Sequence, residues 1–180
     1  MKQMDPVLMV AVAIPELTET SMLHIENHRR QYDRQFHIVK PHFTLVFPLA
    51  EPSDHFTEEL KLQLKGASAI PFDVQHASLH EDPRDGTFRA FLVPKQGFRR
   101  IVKLHDQLYS GSLAKHLRQD IPYVPHLTIG IDDKRESCQA MIGEWNAAAY
   151  AMQGMISTVE ILTLEGEKAT SIEKIRLSYF

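Results

Sequence analysis

The sequence predicts an α+β protein in which antiparallel sheets carry helices on their outer faces. Hairpin-type strand pairs interrupt the helices, whereas strict alternation of strand and helix would have favoured a parallel doubly wound sheet. There is also an internal repeat, because the phrase Pro-His-apolar-Thr-apolar at residues 41–45 returns at residues 125–129. A helix precedes each copy, and a helix and a hairpin follow it. The pattern therefore indicates one domain, residues 1–180, made of two duplicated lobes.

Composition and charge restrict the class of protein. The chain has 180 residues, 43% hydrophobic and 24% charged, which is ordinary for a globular protein with a substantial core. A formal net charge of -3 argues against an extended nucleic-acid track, although a local anion site stays open. The chain has one cysteine, Cys138, which is typical of a protein from a reducing compartment. We expect its side chain on the core face of a helix. No apolar run approaches the ~20 residues that cross a bilayer, so we expect a cytoplasmic protein without membrane association.

For the first half of the chain, the sequence predicts a strand, a helix, a second strand and a second helix. Residues 7–14 are an unbroken apolar run, typical of a central strand covered on both faces. A weakly amphipathic helix is predicted from Pro15 to about residue 30, and Ser53 is the expected N-cap of the next helix. Between them, residues 37–49 form the first repeat strand. Its predicted alternation sets Phe43, Leu45 and Phe47 against His42, Thr44 and Val46.

The second half repeats this order with a hairpin added. Residues 72–81 and 87–93 read as two strands around the turn formers of residues 82–86. An apolar stripe then predicts a helix that begins near Phe98, with a short helical piece after Gly111. The second repeat strand is placed at residues 123–131 and a helix at residues 134–150. The predicted terminal strands cover residues 156–165 and 174–180.

The polar positions of the two repeats point to one chemistry. Residues i and i+2 of a strand share a face, so His42 lies beside Thr44, and His126 beside Thr128. If a local two-fold axis relates the strands, both polar faces line one cleft. One neutral imidazole could then take a proton from water while the other, protonated, delivers one to a leaving sugar oxygen. The threonine hydroxyls would hold the non-bridging oxygens of a phosphodiester.

The two tetrads also carry a family resemblance. His-Phe-Thr-Leu at 42–45 and His-Leu-Thr-Ile at 126–129, 84 residues apart, resemble the twin His-x-Thr/Ser-x motifs of the 2H phosphoesterase superfamily, which includes bacterial 2'-5' RNA ligase-like proteins and cyclic phosphodiesterases. The resemblance covers nearly the whole chain. It implies that family's fold, with two pseudo-symmetric lobes of antiparallel sheet, outer helices and a central cleft.

The same resemblance implies an activity and its residues. It implies a hydrolase of RNA processing that cleaves 2',3'-cyclic phosphates or 2'-5' phosphodiesters of nucleotides or RNA ends, with no metal and no cofactor. His42 and His126 would be the acid-base pair, and Thr44 and Thr128 the phosphate ligands; either histidine could be the base. Two alternatives stay open: binding of a nucleotide or RNA end without turnover, and 2'-5' ligation of RNA.

Three further residues are candidates for substrate binding. Arg89 and Phe91 share a face of their strand, and Tyr123 precedes the second motif by three residues. They could supply a guanidinium for phosphate and aromatic rings for base stacking. The alternative is that Phe91 is core, Arg89 solvated and Tyr123 a loop residue.

The remaining histidines give weaker signals. His24 and His28 lie one helical turn apart and could hold a metal, but a helix surface explains them too, and no third ligand is in view. His105 falls on an apolar face and is expected in the core. His76 and His80 alternate on one predicted strand face and would reach either the cleft or solvent.

Overall fold

The structure, a computed structural model, describes residues 6–179, and its helices and antiparallel strands agree with the predicted α+β class. The helices are α1 (Glu19–Tyr32), α2 (Ser53–Gln63), α3 (Phe98–Leu108) and α4 (Arg135–Ala147), with a 3₁₀ helix at Ser112–His116. The strands are β1 (Leu8–Ala13), β2 (Glu16–Leu17), β3 (Phe43–Leu49), β4 (Ile70–Val74), β5 (Ala77–Glu81), β6 (Phe88–Leu92), β7 (Leu127–Asp132), β8 (Met152–Ile156), β9 (Thr158–Glu165) and β10 (Lys168–Arg176).

The strands form three sheets, and each repeat strand lies at the edge of one. The four-stranded sheet has the order β10-β9-β1-β3, and the two three-stranded sheets have the orders β2-β8-β4 and β5-β6-β7. All pairs between these strands are antiparallel. The first repeat strand is therefore β3 and the second is β7, in different sheets, and each begins one residue after its motif histidine, later than the predicted starts at residues 37 and 123.

Strand β1 is covered on both faces, as its apolar run predicts. Met9, Ala11 and Ala13 belong to the main core, whereas Val10 and Val12 pack in a second, smaller core with Leu162. A strand that feeds two cores needs apolar residues at every position. The four-stranded sheet is therefore anchored through its centre, beside the first repeat strand.

The predicted strand at residues 72–81 is wrong as a single element. The chain bends at exposed Gln75 and His76, so that β4 and β5 belong to different sheets. Helix α4 supplies the polar partners of this bend: the Trp145 indole donates to the Gln75 carbonyl at 2.8 Å, and the Asn146 amide bonds both N–H and C=O of Ala77. These contacts satisfy backbone groups that a continuous ladder would have paired. The hairpin itself, β5 with β6, is confirmed.

Both ends of the chain also differ from the prediction. The first helix begins at Glu19, after Thr18 accepts a hydrogen bond from the Ser21 N–H, and the short β2 precedes it. At the other end, β8 is a separate strand, and β10 begins at Lys168, six residues before its predicted start. Among the described strands, β10 pairs only with β9 and is largely exposed, so its first residues lack the apolar alternation that marks a half-buried strand. Phe180 lies outside the described residues.

None of the helices found in residues 6–179 combines the length and the apolar character needed to cross a membrane.

Candidate active site

The first repeat strand bends immediately after its motif. Phe43 and Leu45 are fully buried, as predicted, but Val46 is also buried and Phe47 is 36% exposed, the reverse of their predicted faces. The pairing with β1 explains the difference, since Thr44 lies opposite Val12 while Val46 lies opposite Ala11. Leu45 is thus an extra residue, and such a bulge exchanges the two faces of the strand beyond it.

The second repeat strand has the same irregularity at the same motif position. Thr128 lies opposite Phe91 and Gly130 lies opposite Ala90, so Ile129 is the extra residue. Gly130 and Ile131 are both buried, so the predicted alternation also ends here. In each motif the bulge therefore follows the threonine directly, and the two motif strands have matching backbone shapes.

The two motif histidines are oriented by identical hydrogen bonds. Nδ1 of His42 lies 2.7 Å from the Lys40 carbonyl, and Nδ1 of His126 lies 2.7 Å from the Val124 carbonyl. Because a carbonyl only accepts, each Nδ1 carries the proton. Within residues 6–179, no hydrogen bond engages either Nε2 or the hydroxyls of Thr44 and Thr128. Each motif therefore has one imidazole nitrogen and one hydroxyl without a hydrogen-bond partner among these residues.

The two motifs lie near each other. The charge of His42 contributes to lowering the pKa of His126, which requires the two imidazoles to be near each other. Tyr123, in the segment that leads into the second motif, donates its hydroxyl to the Thr44 carbonyl at 2.8 Å. The segment before His126 is thus fastened to the first motif strand.

His126 lies under an aromatic ring. The Phe91 ring stacks on it with centroids 3.5 Å apart and an interplanar angle of 12°. Burial lowers the pKa of His126 to about 4; the hydrogen bond to Val124 opposes this, and the charges of His42, His80 and Arg89 add to it. In the unliganded protein this imidazole is therefore neutral at pH 7.

His42 has a different environment, next to a buried ion pair. The Arg29 guanidinium, 1% exposed, donates Nε to Asp33 at 2.8 Å and Nη2 to the Val39 carbonyl at 2.7 Å. Burial lowers the pKa of His42; the hydrogen bond to Lys40 raises it, and Arg29 lowers it while Asp33 raises it. The hydrogen bond from Arg29 thus holds Val39 in place. The next residue, Lys40, supplies the carbonyl that orients His42. Sequence reasoning missed Arg29, because an Arg-Asp pair at i,i+4 is also typical of a solvated helix face.

A cavity of about 540 Å³ opens beside His126. Its wall combines the end of β3, the β5–β6 turn, α3 and the loop before the second motif. The wall includes Phe47, His80, Arg84, Phe91, His105, Arg118, Tyr123 and His126. Arg84 donates to both carboxylate oxygens of Asp82, and Arg118 to both of Asp120. Their charges are therefore balanced within the wall. Sequence reasoning missed these loop residues, because they carry no motif.

The three residues predicted for substrate binding all lie near His126. Phe91 and Tyr123 line the cavity, and Tyr123 stacks on His105 with centroids 3.8 Å apart. Arg89 is held by carboxylates, with Nη2 at 3.0 Å from Asp82 and 3.1 Å from Asp85, while its buried Nε has no hydrogen-bond partner within residues 6–179. A phosphate contact from Arg89 would compete with these ion pairs.

His24, His28 and His105, which have weak sequence signals, pack against aromatic rings or in the core. His24 stacks on Tyr150, and the His28 ring packs against Tyr32 and Trp145. Among residues 6–179, no group of three or more His, Cys, Asp or Glu side chains is placed to hold a metal ion. The core position predicted for His105 is confirmed.

Fold and site together define an α+β protein of the 2H phosphoesterase type. A sequence model described as the 2'-5' RNA ligase superfamily matches residues 14–168. The chain belongs to the 2'-5' RNA ligase superfamily, which confirms the resemblance that its two motifs carry.

Relatives and solved structures agree with this family. A protein of Geobacillus sp. (strain WCH70), named "Putative phosphoesterase", is 31% identical over 110 residues, a match that covers 59% of this chain and 60% of that protein's length. The structure of E. coli LigT complexed with 3'-AMP superposes with a TM-score of 0.58 at 16% identity, covering 97% of this chain and 99% of the other. TT0787 of Thermus thermophilus gives a TM-score of 0.59 at 18% identity, covering 96% and 98%. These two structures confirm the fold class.

Proposed function

We propose that this protein is a hydrolase of RNA processing that cleaves 2',3'-cyclic phosphates or 2'-5' phosphodiesters of nucleotides or RNA ends, with His42 and His126 as a metal-independent acid-base pair. One observation carries the proposal. The two motif histidines have the same Nδ1 hydrogen bond to the carbonyl two residues earlier, at 2.7 Å each, and both leave Nε2 available. That arrangement suits two proton transfers on opposite sides of one phosphorus.

The reaction balances with these groups alone. Nε2 of one histidine takes a proton from water as the water oxygen bonds to phosphorus. Nε2 of the other, protonated, gives its proton to the ribose oxygen as the bond between that oxygen and phosphorus breaks. The hydroxyls of Thr44 and Thr128 donate to the non-bridging oxygens, where negative charge increases. Ligation is the same ring opening of a 2',3'-cyclic phosphate with a ribose hydroxyl of a second RNA end in place of water, so that a new phosphodiester forms as the ring oxygen leaves.

The histidine that acts as the general acid must take up its proton when the substrate binds. The pKa of His126 is about 4 and burial also lowers that of His42, so both imidazoles are neutral at pH 7 in the free protein. An anionic phosphate beside them favours the charged form and raises the pKa of the nearer imidazole. Substrate binding should therefore take up about one proton at neutral pH.

The cavity supports a nucleotide as the substrate. It adjoins His126, it is walled partly by the aromatic residues Phe91 and Tyr123, and its volume of about 540 Å³ suits a nucleoside. The related E. coli LigT was solved with 3'-AMP, with ATP and with NADP+. In this proposal Tyr123 and Phe91 face the nucleoside side of the site, and Arg89 supplies positive charge near the phosphate.

Two broader expectations belong to the same proposal. The matching bulges at Leu45 and Ile129 support a single domain of two duplicated lobes, with the site between the HxTx motifs. A cytoplasmic location is supported by the one cysteine, Cys138, which is buried and unpaired.

The test is a turnover screen on the full chain in the presence of a chelator. The substrates are the four 2',3'-cyclic nucleotides and short 2'-5' and 3'-5' oligonucleotides, with binding titrations of the same compounds in parallel. We expect turnover of at least one cyclic phosphate or 2'-5' linkage, unchanged by chelator. Binding without turnover would favour a nucleotide-binding protein, and joining of the oligonucleotides without hydrolysis would favour ligation; either result would overturn the hydrolase proposal.

A further inference from the structure

Three rings form a continuous stack at the second motif. Phe91 lies between His80, with centroids 4.5 Å apart and planes at 25°, and His126, with centroids 3.5 Å apart and planes at 12°. If the His80 and His126 rings were on the same side of Phe91 at these distances, they would overlap each other. They must therefore cover opposite faces of the Phe91 ring. Both faces of the Phe91 ring are therefore occupied by imidazoles.

The sheet builds this stack through its register. Phe91 lies directly opposite Thr128 on β7, which places its ring beside the histidine two residues earlier in the motif. On the other side of β6, His80 of β5 pairs with Arg89 and is the diagonal neighbour of Phe91, a distance that long and aromatic side chains can span. The Ser78 hydroxyl lies 3.0 Å from Nε2 of His80 and fixes the outer ring.

The stack restrains a motion that the hydrogen bond to Val124 leaves free. A single bond at Nδ1 sets the direction of that nitrogen but allows the imidazole plane to tilt about the N–H···O axis. A ring packed flat against the imidazole removes that tilt, and with it the variation in where Nε2 points. In residues 6–179, no aromatic ring stacks on His42 in this way.

We propose that Phe91 is the positioning residue of His126, and that His80 holds Phe91 in place from the outside. The inference rests on the proposed function, because positioning matters only if Nε2 of His126 transfers a proton. It also gives Phe91 a role different from base stacking, which would require His80 to leave the outer face of the ring. The ring further excludes water from His126, in agreement with the lowered pKa of that imidazole.

The experiment compares Phe91→Leu with Phe91→Tyr, and with Phe88→Leu as the matched control. Phe88 is on the same strand and contacts Arg135 instead of the site. The pKa of His126 is followed by NMR titration of the full chain without substrate, with His126→Gln for assignment. Steady-state kinetics give kcat and KM for the substrate found in the turnover screen.

Phe91→Leu should raise the pKa of His126 by at least one unit and lower kcat by about 10- to 100-fold with little change in KM. Phe91→Tyr keeps a flat ring and should restore both values, and Phe88→Leu should change neither. His80→Ala, which removes the outer ring together with its charge, should move the His126 pKa in the same direction by less. It also serves as the second variant if Phe91→Leu does not fold.

An unchanged His126 titration in both Phe91→Leu and His80→Ala would overturn the proposal. A Phe91→Leu variant that changes KM alone would also overturn it, and would indicate base stacking instead. The NMR titration needs no turnover. If the wild-type protein is inactive but Phe91→Leu still raises the pKa of His126, the proposed function is contradicted and the positioning of His126 is not.

Discussion

His42 follows a segment clamped by a buried ion pair, whereas His126 lies under an aromatic stack. On the first side, Arg29 joins Asp33 to the Val39 carbonyl, next to the residue whose carbonyl orients His42. On the second side, Phe91 covers the imidazole, His80 covers the outer face of Phe91, and Val124 supplies the orienting carbonyl. The motif residues and their bulges match, but the support behind them does not.

The motifs and their surroundings therefore determine different properties of the two histidines. The motif with its bulge sets where the reactive nitrogen and hydroxyl lie, and it is repeated. The surroundings set how rigidly each imidazole is held and how strongly its charged form is disfavoured, and these are specific to each half. Two formally equivalent histidines thereby have different surroundings.

The largest expected effect comes from removing either histidine. His42→Ala and His126→Ala should each lower kcat by about 10²–10⁴-fold, the usual contribution of a general acid or base. The double variant should be little worse than either single one, because two groups that act as a unit are not additive. Steady-state kinetics on a 2',3'-cyclic nucleotide measure this.

Exposed His76 offers the matched control, and His76→Ala should retain wild-type kcat. If one motif histidine could be removed without loss, the two halves would not share a reaction. His42 and His126 would then be two unrelated structural histidines.

The next effect concerns the ion pair of the first half alone. Arg29→Met leaves the Asp33 carboxylate buried without its partner, since both side chains are 2% exposed. We expect the free energy of unfolding to fall by about 3–5 kcal/mol. Urea denaturation measures the loss.

The adjacent exposed residue provides the control, because Arg30→Met should change the unfolding free energy by less than about 0.5 kcal/mol. The double variant Arg29→Met with Asp33→Asn removes the stranded charge and should recover part of the loss. A loss below about 1 kcal/mol in Arg29→Met would mean that the pair does not support the segment leading to His42.

The smallest effect is the dependence of stability on pH. The pKa of His126 is about 4 in the folded protein, below its usual 6.5, so the unfolded chain binds the proton more readily. Its contribution to stability is complete above pH 6.5 and is lost as the pH falls from 6.5 towards 4. Asp82 and Glu51, with pKa values of about 2, lose theirs at lower pH, below their usual carboxyl range.

His126→Gln should therefore flatten the decline in unfolding free energy between pH 6.5 and 4.5, by about 1 kcal/mol for this partly exposed imidazole. Urea denaturation at several pH values checks the prediction. Parallel curves for the variant and the wild type would show that His126 is not shielded as described, and would weaken the contrast between the two halves.

The sequence was enough to predict the elements that carry local signals. The unbroken apolar run of β1, the β5–β6 hairpin and the two motif strands depend on periodicity and turn residues within a few positions of each other. The proximity of His42 to His126 could be anticipated because the phrase around them is repeated.

Features set by distant partners could not be predicted in this way. The break between β4 and β5 depends on Trp145 and Asn146, about seventy residues further along the chain. The bulges after Thr44 and Thr128 depend on pairing with other strands, so the faces of Val46 and Phe47 were predicted wrongly. Burial of Arg29 and the two-sided cover of Phe91 are likewise tertiary, and neither has a local pattern.

The most direct measurement of the central claim is a crystal structure of the full chain with a nucleoside 3'-phosphate. We expect one phosphate group within hydrogen-bond distance of Nε2 of both His42 and His126, with the Thr44 and Thr128 hydroxyls on its oxygens and the nucleoside in the cavity beside Phe91 and Tyr123. A phosphate bound to only one of the histidines, with the other turned away or out of reach, would contradict it.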